Sequence, residues 1–224
     1  MRFLIVSGPT REPLDPVRYI SNYSTGVMGC YLVQAAKSRG HQVDWVECPS
    51  SAETARDLLK ELKRRLPKSD VLIMAAAVCD ARPISFSPVK IKKEKLTSIK
   101  LVKNPDILAE LSKQKKKNQL FIGFALESGD LLKNGIKKLR RKSLELIVIQ
   151  QVKKNKTPFG EKPVDVYLLD ACGCMVPFKA ISKKKLAKII VQEAENRVTQ
   201  EKLFVKLKGF GSTKRSLPAR WPSS

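Results

Sequence analysis

Five short apolar runs, separated by stretches with helical character, constrain the fold of this chain more than any other feature. The runs are Phe3 to Val6, Val43 to Val46, Val71 to Met74, Leu120 to Phe124 and Leu144 to Ile149. Apolar runs of this length that alternate with helices are typical of parallel strands buried on both faces. The sequence therefore predicts an α/β fold: a Rossmann-like, mostly parallel sheet with helices on both faces.

Helical periodicity fills the stretches between these runs. One helix carries its apolar residues on one face, begins at a Ser50-x-x-Glu53 capping box and is expected to stop before Pro67. The next begins at Asn104-Pro105-Asp106, where Asn104 is the expected N-cap and Pro105 suits the first helical position. A further helix is expected from about Gly129 to Ser143.

The C-terminal part of the chain predicts a β-hairpin followed by a long helix. Val164 to Leu169 and Cys174 to Pro177 are apolar runs separated by a short turn. Apolar residues from Leu186 to Val198 recur at helical spacing. Residues 201–224 are basic and rich in Lys, Gly, Ser and Pro, so we expect one domain over 1–200 and a basic extension over 201–224.

Composition limits the classes of function. The net charge of +23, from 44 Lys+Arg against 21 Asp+Glu, is compatible with nucleic acid, anionic membranes or phosphorylated small molecules as partners. The chain has no long apolar run, no signal peptide and no paired cysteine framework. We therefore expect a cytoplasmic protein with reduced thiols and no membrane partner. The single histidine, His41, argues against His-based catalysis or a multi-histidine metal site.

Two segments, residues 8–25 and 80–100, are long for loops in a compact domain, which indicates a functional role. Both follow strand ends, where ligands of open parallel sheets bind. The first lacks a G-x-G-x-x-G dinucleotide motif. It leads instead to a helix start whose small residues allow a phosphate to approach backbone N–H groups, although an ordinary helix cap explains the same pattern. The candidate phosphate- or substrate-binding residues there are Ser24, Thr25, Gly26 and Gly29.

Four long motifs follow one another along the chain. The opening motif runs from Gly8 to Gly29 and reads GPTREPLDPVRYISNYSTGVMG. It is followed by Ala76-Ala77-Val78-Cys79-Asp80, by Lys90-Ile91-Lys92-Lys93 and by the segment from Leu101 to Leu108. Together, in this order, they resemble the phosphopantothenate–cysteine ligase family. Gly123-Phe124-Ala125-Leu126-Glu127-Ser128 is similar to a further family motif, and the resemblance covers roughly residues 3–200.

The resemblance implies a two-step ligase reaction in coenzyme A biosynthesis. The carboxylate of 4′-phosphopantothenate attacks the α-phosphate of CTP, which gives an acyl-cytidylate and pyrophosphate. The amine of cysteine then displaces CMP to form an amide. The resemblance further implies Mg²⁺, a homodimer, and a stand-alone ligase with no flavin, whose decarboxylase is a separate chain. It leaves open the choice between CTP and ATP and the metal ligands.

By resemblance, the catalytic candidates are Asn22, Lys90 and Arg18. Lys90 would assist acyl-cytidylate formation, and Asn22 would handle the acyl-cytidylate and its attack by cysteine. The guanidinium fork of Arg18 suits a phosphate or carboxylate. The candidate nucleotide-binding residues are Ala76, Asp80, Lys90, Lys103, Asn104, Pro105, Asp106, Phe124, Lys138 and Lys142.

Three positions depart from the family pattern. Val27 stands where lysine is usual, Pro9 replaces a glycine, and Gln150 begins a segment where Asn-Asp is common. These departures keep open a catalytically inactive relative that acts as an interaction partner. The charge keeps open a basic nucleic-acid-binding protein on a similar scaffold, but aromatic residues are sparse and no nucleic-acid motif is present, so nucleic acid is not the expected partner.

Overall fold

The computed structural model describes residues 1–152 and 159–208, with side chains described as far as Thr199. The strands are β1 Arg2–Ser7, β2 Arg11–Pro13, β3 Tyr19–Ser21, β4 Gln42–Glu47, β5 Val71–Met74, β6 Ala81–Pro83, β7 Leu101–Lys103, β8 Leu120–Glu127, β9 Leu146–Gln151, β10 Val164–Asp170 and β11 Met175–Ile181. The helices are α1 Val27–Ser38, α2 Ala55–Arg65, α3 Ile107–Ser112, α4 Leu131–Arg141 and α5 Lys183–Lys208, with short 3₁₀ turns at Leu66–Lys68 and Lys93–Lys95.

The main sheet has seven strands in the order β11-β10-β9-β8-β5-β1-β4. The five predicted apolar runs form β1, β4, β5, β8 and β9, which are all parallel. β10 pairs antiparallel with β9 and then with β11, which forms the predicted C-terminal hairpin. The predicted α/β class, the mostly parallel sheet and its hairpin and helix are confirmed.

Helices cover both faces of this sheet, as the apolar runs require. On one face, buried residues of α1 and α5, such as Leu32 and Ile190, pack against Ile5 and Ile122. On the other face, buried residues of α2, α3 and α4 pack against alternate residues of the same strands. The strands β1, β5, β8 and β9 are therefore buried on both sides, which is why each has a continuous apolar run, whereas the edge strand β4 is only partly buried and includes Asp44.

Two predicted helix starts are wrong, and in both cases a later residue caps the helix. Thr54, not Ser50, caps α2: the Asp57 backbone N–H donates to Thr54 Oγ1, and the Thr54 N–H donates to Asp57 Oδ2, both at 3.1 Å. Asp106, not Asn104, caps α3 by accepting from the Ala109 N–H at 3.3 Å. The predicted stop before Pro67 is confirmed, since α2 ends at Arg65.

Two small ribbons occupy the long segments that follow β1 and β5. β2 and β3 form an antiparallel ribbon, and β6 pairs with β7 in a second one. Both ribbons stand beyond the carboxyl ends of the parallel strands. The two segments predicted to be functional therefore contain paired β-strands.

The helix α5 continues to Lys208, through the domain boundary expected at residue 200. That boundary stays a prediction, and residues 209–224 lie outside the described residues. Over 1–152 and 159–208, no helix combines the length and apolarity that a bilayer crossing requires.

Candidate functional site

A cleft of about 330 Å³ opens beyond the carboxyl ends of β5 and β8. Its walls come from the segment after β3, the first turn of α1, the ends of β5, β8 and β9, and the start of α5. Eight of the predicted site residues line it: Asn22, Ser24, Thr25, Gly26, Ala76, Asp80, Phe124 and Lys138. This is the edge where ligands of open α/β sheets bind. A separate cavity of about 360 Å³ at the opposite edge of the sheet is lined by none of the predicted residues.

The first turn of α1 presents backbone N–H groups to the cleft. Gly26 is the N-cap residue, with φ at 74°, and no side chain caps this helix end. A β-carbon is strained at that dihedral, so glycine is the residue that fits. The uncapped N–H groups and the positive end of the helix dipole make this turn suited to an anion.

Gly29 serves packing rather than the cleft. A β-carbon at this position would lie 2.0 Å from the Cβ of Ser7 at the end of β1. Gly29 does not line the cleft. The absence of a side chain at Gly29 lets α1 lie close to the end of β1, and its role in phosphate binding stays a prediction.

Asn22 is anchored to the end of β5. Its Nδ2 donates to the Ala77 carbonyl oxygen at 3.0 Å, beside the Sγ of Cys79 at 3.9 Å. An amide nitrogen carries two donors, and the second N–H of Asn22 meets only the long, weak sulfur acceptor of Cys79, which a ligand oxygen would replace. The side chain is thus held at the cleft by the segment that follows β5, which also supplies Ala76.

A buried carboxylate, Glu12, holds the second ribbon against the first. Glu12 is 2% exposed and accepts from the Ala55 N–H and from Asn104 Nδ2, both at 2.9 Å. Asn104 Nδ2 also donates to the Cys79 carbonyl at 2.9 Å, and Arg82 donates to Asn104 Oδ1 at 3.0 Å. The amide of Asn104 is therefore committed to protein partners, and neither it nor Pro105 lines the cleft.

Arg18 is likewise committed to protein groups. Its guanidinium donates to Asp15 Oδ2 at 2.6 and 3.0 Å and to the Ile91 carbonyl oxygen at 2.6 Å. Burial alone would raise the pKa of Asp15, but the bonds from Arg18 and from backbone N–H groups of Val17 and Ile91 hold that pKa below its ordinary value. In this chain the fork predicted to bind a ligand ties the opening motif to the residue after Lys90.

The lysines predicted for the nucleotide divide into two groups. Lys138 lines the cleft and pairs with Glu127 at 2.5 Å. Lys142 pairs instead with Asp106 at 3.1 Å, which also pairs with Arg141 at 2.9 Å. Lys90 and Lys103 are exposed, and neither lines the cleft. Lys142 and Asp106 do not line the cleft of a single chain either, and the roles of all four residues in nucleotide binding stay predictions.

Lys183 lines the cleft although sequence reasoning did not select it. Its one sequence signal is its place at the start of α5, where a cation opposes the helix dipole. Two of the three residues that depart from the family pattern, Val27 and Gln150, also line the cleft, as does Phe159.

The seven-stranded sheet, the uncapped helix start and the cleft at the carboxyl edge define a Rossmann-like α/β protein with an anion-suited site. The chain belongs to the family described as the DNA/pantothenate metabolism flavoprotein C-terminal domain, which matches residues 1–198. The family resemblance predicted from the four motifs is confirmed.

Curated relatives share this sequence over most of the chain. A cysteine/cysteine sulfinic acid decarboxylase from an unknown prokaryotic organism is 37% identical over 205 residues, which cover 86% of this chain and 57% of the relative. The coenzyme A biosynthesis bifunctional protein CoaBC of Borreliella burgdorferi is 38% identical over 183 residues, which cover 75% of this chain and 46% of the relative. The chain thus spans about half the length of these relatives.

A solved structure shares the fold almost from end to end. The C-terminal domain of a coenzyme A biosynthesis bifunctional protein CoaBC superposes with a TM-score of 0.73 at 29% identity, covering 89% of this chain and 96% of that domain. The cleft therefore lies in the part of the chain that has the family fold.

Proposed function

We propose that this protein joins 4′-phosphopantothenate to cysteine, with CTP as co-substrate and release of pyrophosphate and CMP. The observation that carries this proposal is convergence: Asn22, Ala76, Phe124 and Lys138 come from separate segments of the chain and line one cleft. The relatives named CoaBC and the matching domain structure support the same function. The relative named as a decarboxylase is matched over only part of its length, as is the CoaBC relative, and the proposal follows the CoaBC name because a solved CoaBC domain is matched almost completely.

In the first step, the nucleotide phosphates lie between the first turn of α1 and Lys138. The helix N–H groups and the ammonium group supply positive potential in a partly closed cleft, where such interactions are stronger than in water. The substrate carboxylate attacks the α-phosphate, pyrophosphate leaves, and Lys90 neutralises the charge that develops there. Phe124 packs beside the base.

Magnesium fits this site as a partner of the nucleotide. Among the described residues, no three His, Cys, Asp or Glu side chains are grouped to hold a metal ion. Asp80, however, lines the cleft. Since Mg²⁺ is commonly held by one or two carboxylates together with substrate phosphates, Asp80 is the residue that would contact it. Bound there, the ion would neutralise part of the phosphate charge.

In the second step, the amine of cysteine attacks the acyl carbon and CMP leaves. The second N–H of Asn22 donates to the acyl oxygen as negative charge grows on it. The contact between Asn22 and Ala77 orients this donor before the ligand binds, so little ordering remains to be done during the reaction.

The proposal includes a homodimer of this chain. Lys90 lies outside the cleft of its own chain, next to exposed apolar side chains of the two ribbons, such as Val17, Phe86 and Val89 at 60%, 55% and 70% exposure. Exposed apolar surface of this kind is typical of a protein interface. A second copy seated on the ribbons would bring its own Lys90 near the cleft.

The test is a pyrophosphate-release assay on the purified chain with 4′-phosphopantothenate, Mg²⁺ and either CTP or ATP, followed by detection of the amide after cysteine is added. Pyrophosphate and amide formed with CTP support the proposal, and formation only with ATP corrects the nucleotide. The absence of both products together with salt-dependent binding of duplex DNA or RNA would favour the nucleic-acid-binding alternative. The absence of both products without such binding would favour an inactive relative.

A further inference from the structure

Lys183 is a buried lysine in a run of exposed ones. It is 7% exposed, whereas Lys184 and Lys185 are exposed to solvent. Ser182 caps the helix beside it: its Oγ accepts from the Lys185 N–H at 3.2 Å, and its carbonyl accepts from the Leu186 N–H at 2.9 Å. Lys183 is therefore fixed in the first turn of α5, with its side chain directed into the cleft wall.

This position is unfavourable for a cation in two ways. Burial lowers the pKa of the Lys183 ammonium, and the charge of Glu161 opposes that effect only in part. In addition, the N-terminal turn of a helix carries positive potential, which disfavours a lysine. Glu161 is itself held by Tyr31, whose hydroxyl donates to it at 2.9 Å. A buried charge that costs stability is often retained for binding or catalysis.

The surroundings of Lys183 indicate what it would bind. Among the described residues that line the cleft, the charged ones are Asp80, Lys138 and Lys183. Lys138 already pairs with Glu127. Because a nucleoside triphosphate carries several negative charges, a second ammonium group in the same cleft balances them better than Lys138 and the α1 turn alone.

We propose that Lys183 is a further nucleotide-binding residue, whose ammonium group binds a phosphate oxygen of the triphosphate in the cleft shared with Lys138 and the first turn of α1. This inference rests on the proposed function for the identity of the ligand. The phosphate of the acid substrate is the other source of the same chemistry, and binding measurements with each ligand separate the two.

The first test measures binding of CTP with Mg²⁺ by calorimetry at constant salt. Lys183→Met keeps the length and apolar stem of the side chain but removes the charge, and CTP affinity is expected to fall about tenfold or more. Lys183→Arg is expected to keep most of the affinity, and the exposed neighbour Lys184→Met to keep all of it. Binding of 4′-phosphopantothenate alone is expected to be unchanged in every variant. Loss of that binding instead of CTP binding would overturn the assignment.

A second measurement distinguishes a ligand contact from a merely structural role. Because the pKa of Lys183 is lowered, the CTP affinity of the wild type should decline as pH rises, and this decline should begin at a lower pH than an ordinary lysine would produce. Lys183→Arg should flatten the decline. The unfolding midpoint of Lys183→Met is expected to fall, since the substitution removes one partner of a buried charge interaction, so affinities are compared at a temperature well below that midpoint. A lowered midpoint with unchanged CTP affinity and an unchanged pH profile would refute the proposal.

The two proposals can fail separately. Lys183-dependent CTP binding without pyrophosphate release would sustain the binding residue and reject the ligase reaction. Pyrophosphate release by the wild type, together with equal CTP affinity of the wild type and Lys183→Met, would reject the binding residue alone.

Discussion

Arg18 donates a 2.6 Å hydrogen bond to the carbonyl oxygen of Ile91, which joins the opening motif to a residue 73 positions later. The same guanidinium binds Asp15, whose side chain is inaccessible to solvent. Arg18 is thus a bridge between the first long segment, which contributes Asn22 to the cleft, and the second, which contributes Asp80. Because Ile91 is next to Lys90, this bridge fixes the backbone position from which the side chain of the proposed catalytic lysine extends.

Arg18→Lys should slow the first step of the proposed reaction. A lysine retains the charge but cannot make the fork to Asp15 and Ile91 together, so the segment that carries Lys90 loses its anchor. We expect kcat for pyrophosphate release to fall about tenfold or more, with a small change in KM for 4′-phosphopantothenate. A large rise in that KM with an unchanged kcat would instead indicate direct contact between Arg18 and the substrate. The exposed Arg56→Lys on α2 is the matched control.

Asp15 should make stability depend on pH in the acid range. Its pKa is lowered from an ordinary value of 3.8, because hydrogen bonds to the charged form outweigh burial. Its stabilising contribution is therefore complete above pH 3.8 and is lost as pH falls below that value. Asp15→Asn should destabilise the protein at pH 7 and should differ less from the wild type at the acid end. Urea unfolding at several pH values checks this, and a destabilisation that is constant with pH would contradict it.

Gly29→Ala should destabilise the fold by about 1–3 kcal/mol, because the added methyl group would overlap the Ser7 side chain. Gly129→Ala is the matched control, since nothing lies within 4 Å of a β-carbon built there. Urea unfolding measures both. Equal stability of the two variants would show that α1 moves away from β1 without cost, and that Gly29 does not fix the helix start.

The main sheet was predictable because burial on both faces leaves a local mark, a continuous apolar run such as Val71 to Met74. Helix starts were less predictable because several nearby polar residues can serve as caps. Ser50 and Thr54 each precede an acidic residue by three positions, so the local sequence fits either of them as the helix cap. Which one begins the helix depends on where the chain packs against the core.

The cleft was predictable where its residues lie in a parallel strand or in the segment after one. Ala76 and Asp80 come after β5, and Phe124 lies in β8, which is next to β5 in the sheet, so the sheet order brings them together. The sequence does not specify that Asn104 turns to Glu12, because that contact joins residues 92 positions apart. It does not single out Lys183 either, since the burial of one lysine among several depends on how α5 meets the sheet.

Asn22→Ala and Lys90→Gln should separate the two steps of the proposed reaction. Asn22 is positioned by Ala77 to donate to the acyl oxygen, so its loss should leave pyrophosphate release nearly intact while amide formation falls by about 10²-fold or more. Lys90→Gln should instead lower pyrophosphate release itself, because charge at the α-phosphate is no longer neutralised. Quench-flow measurement of pyrophosphate and amide in the same reaction tests both variants. Because Asn22 binds Ala77, the unfolding midpoint of Asn22→Ala must be shown to exceed the assay temperature. A block of the first step in Asn22→Ala, with the fold intact, would assign this residue to activation rather than to amide formation.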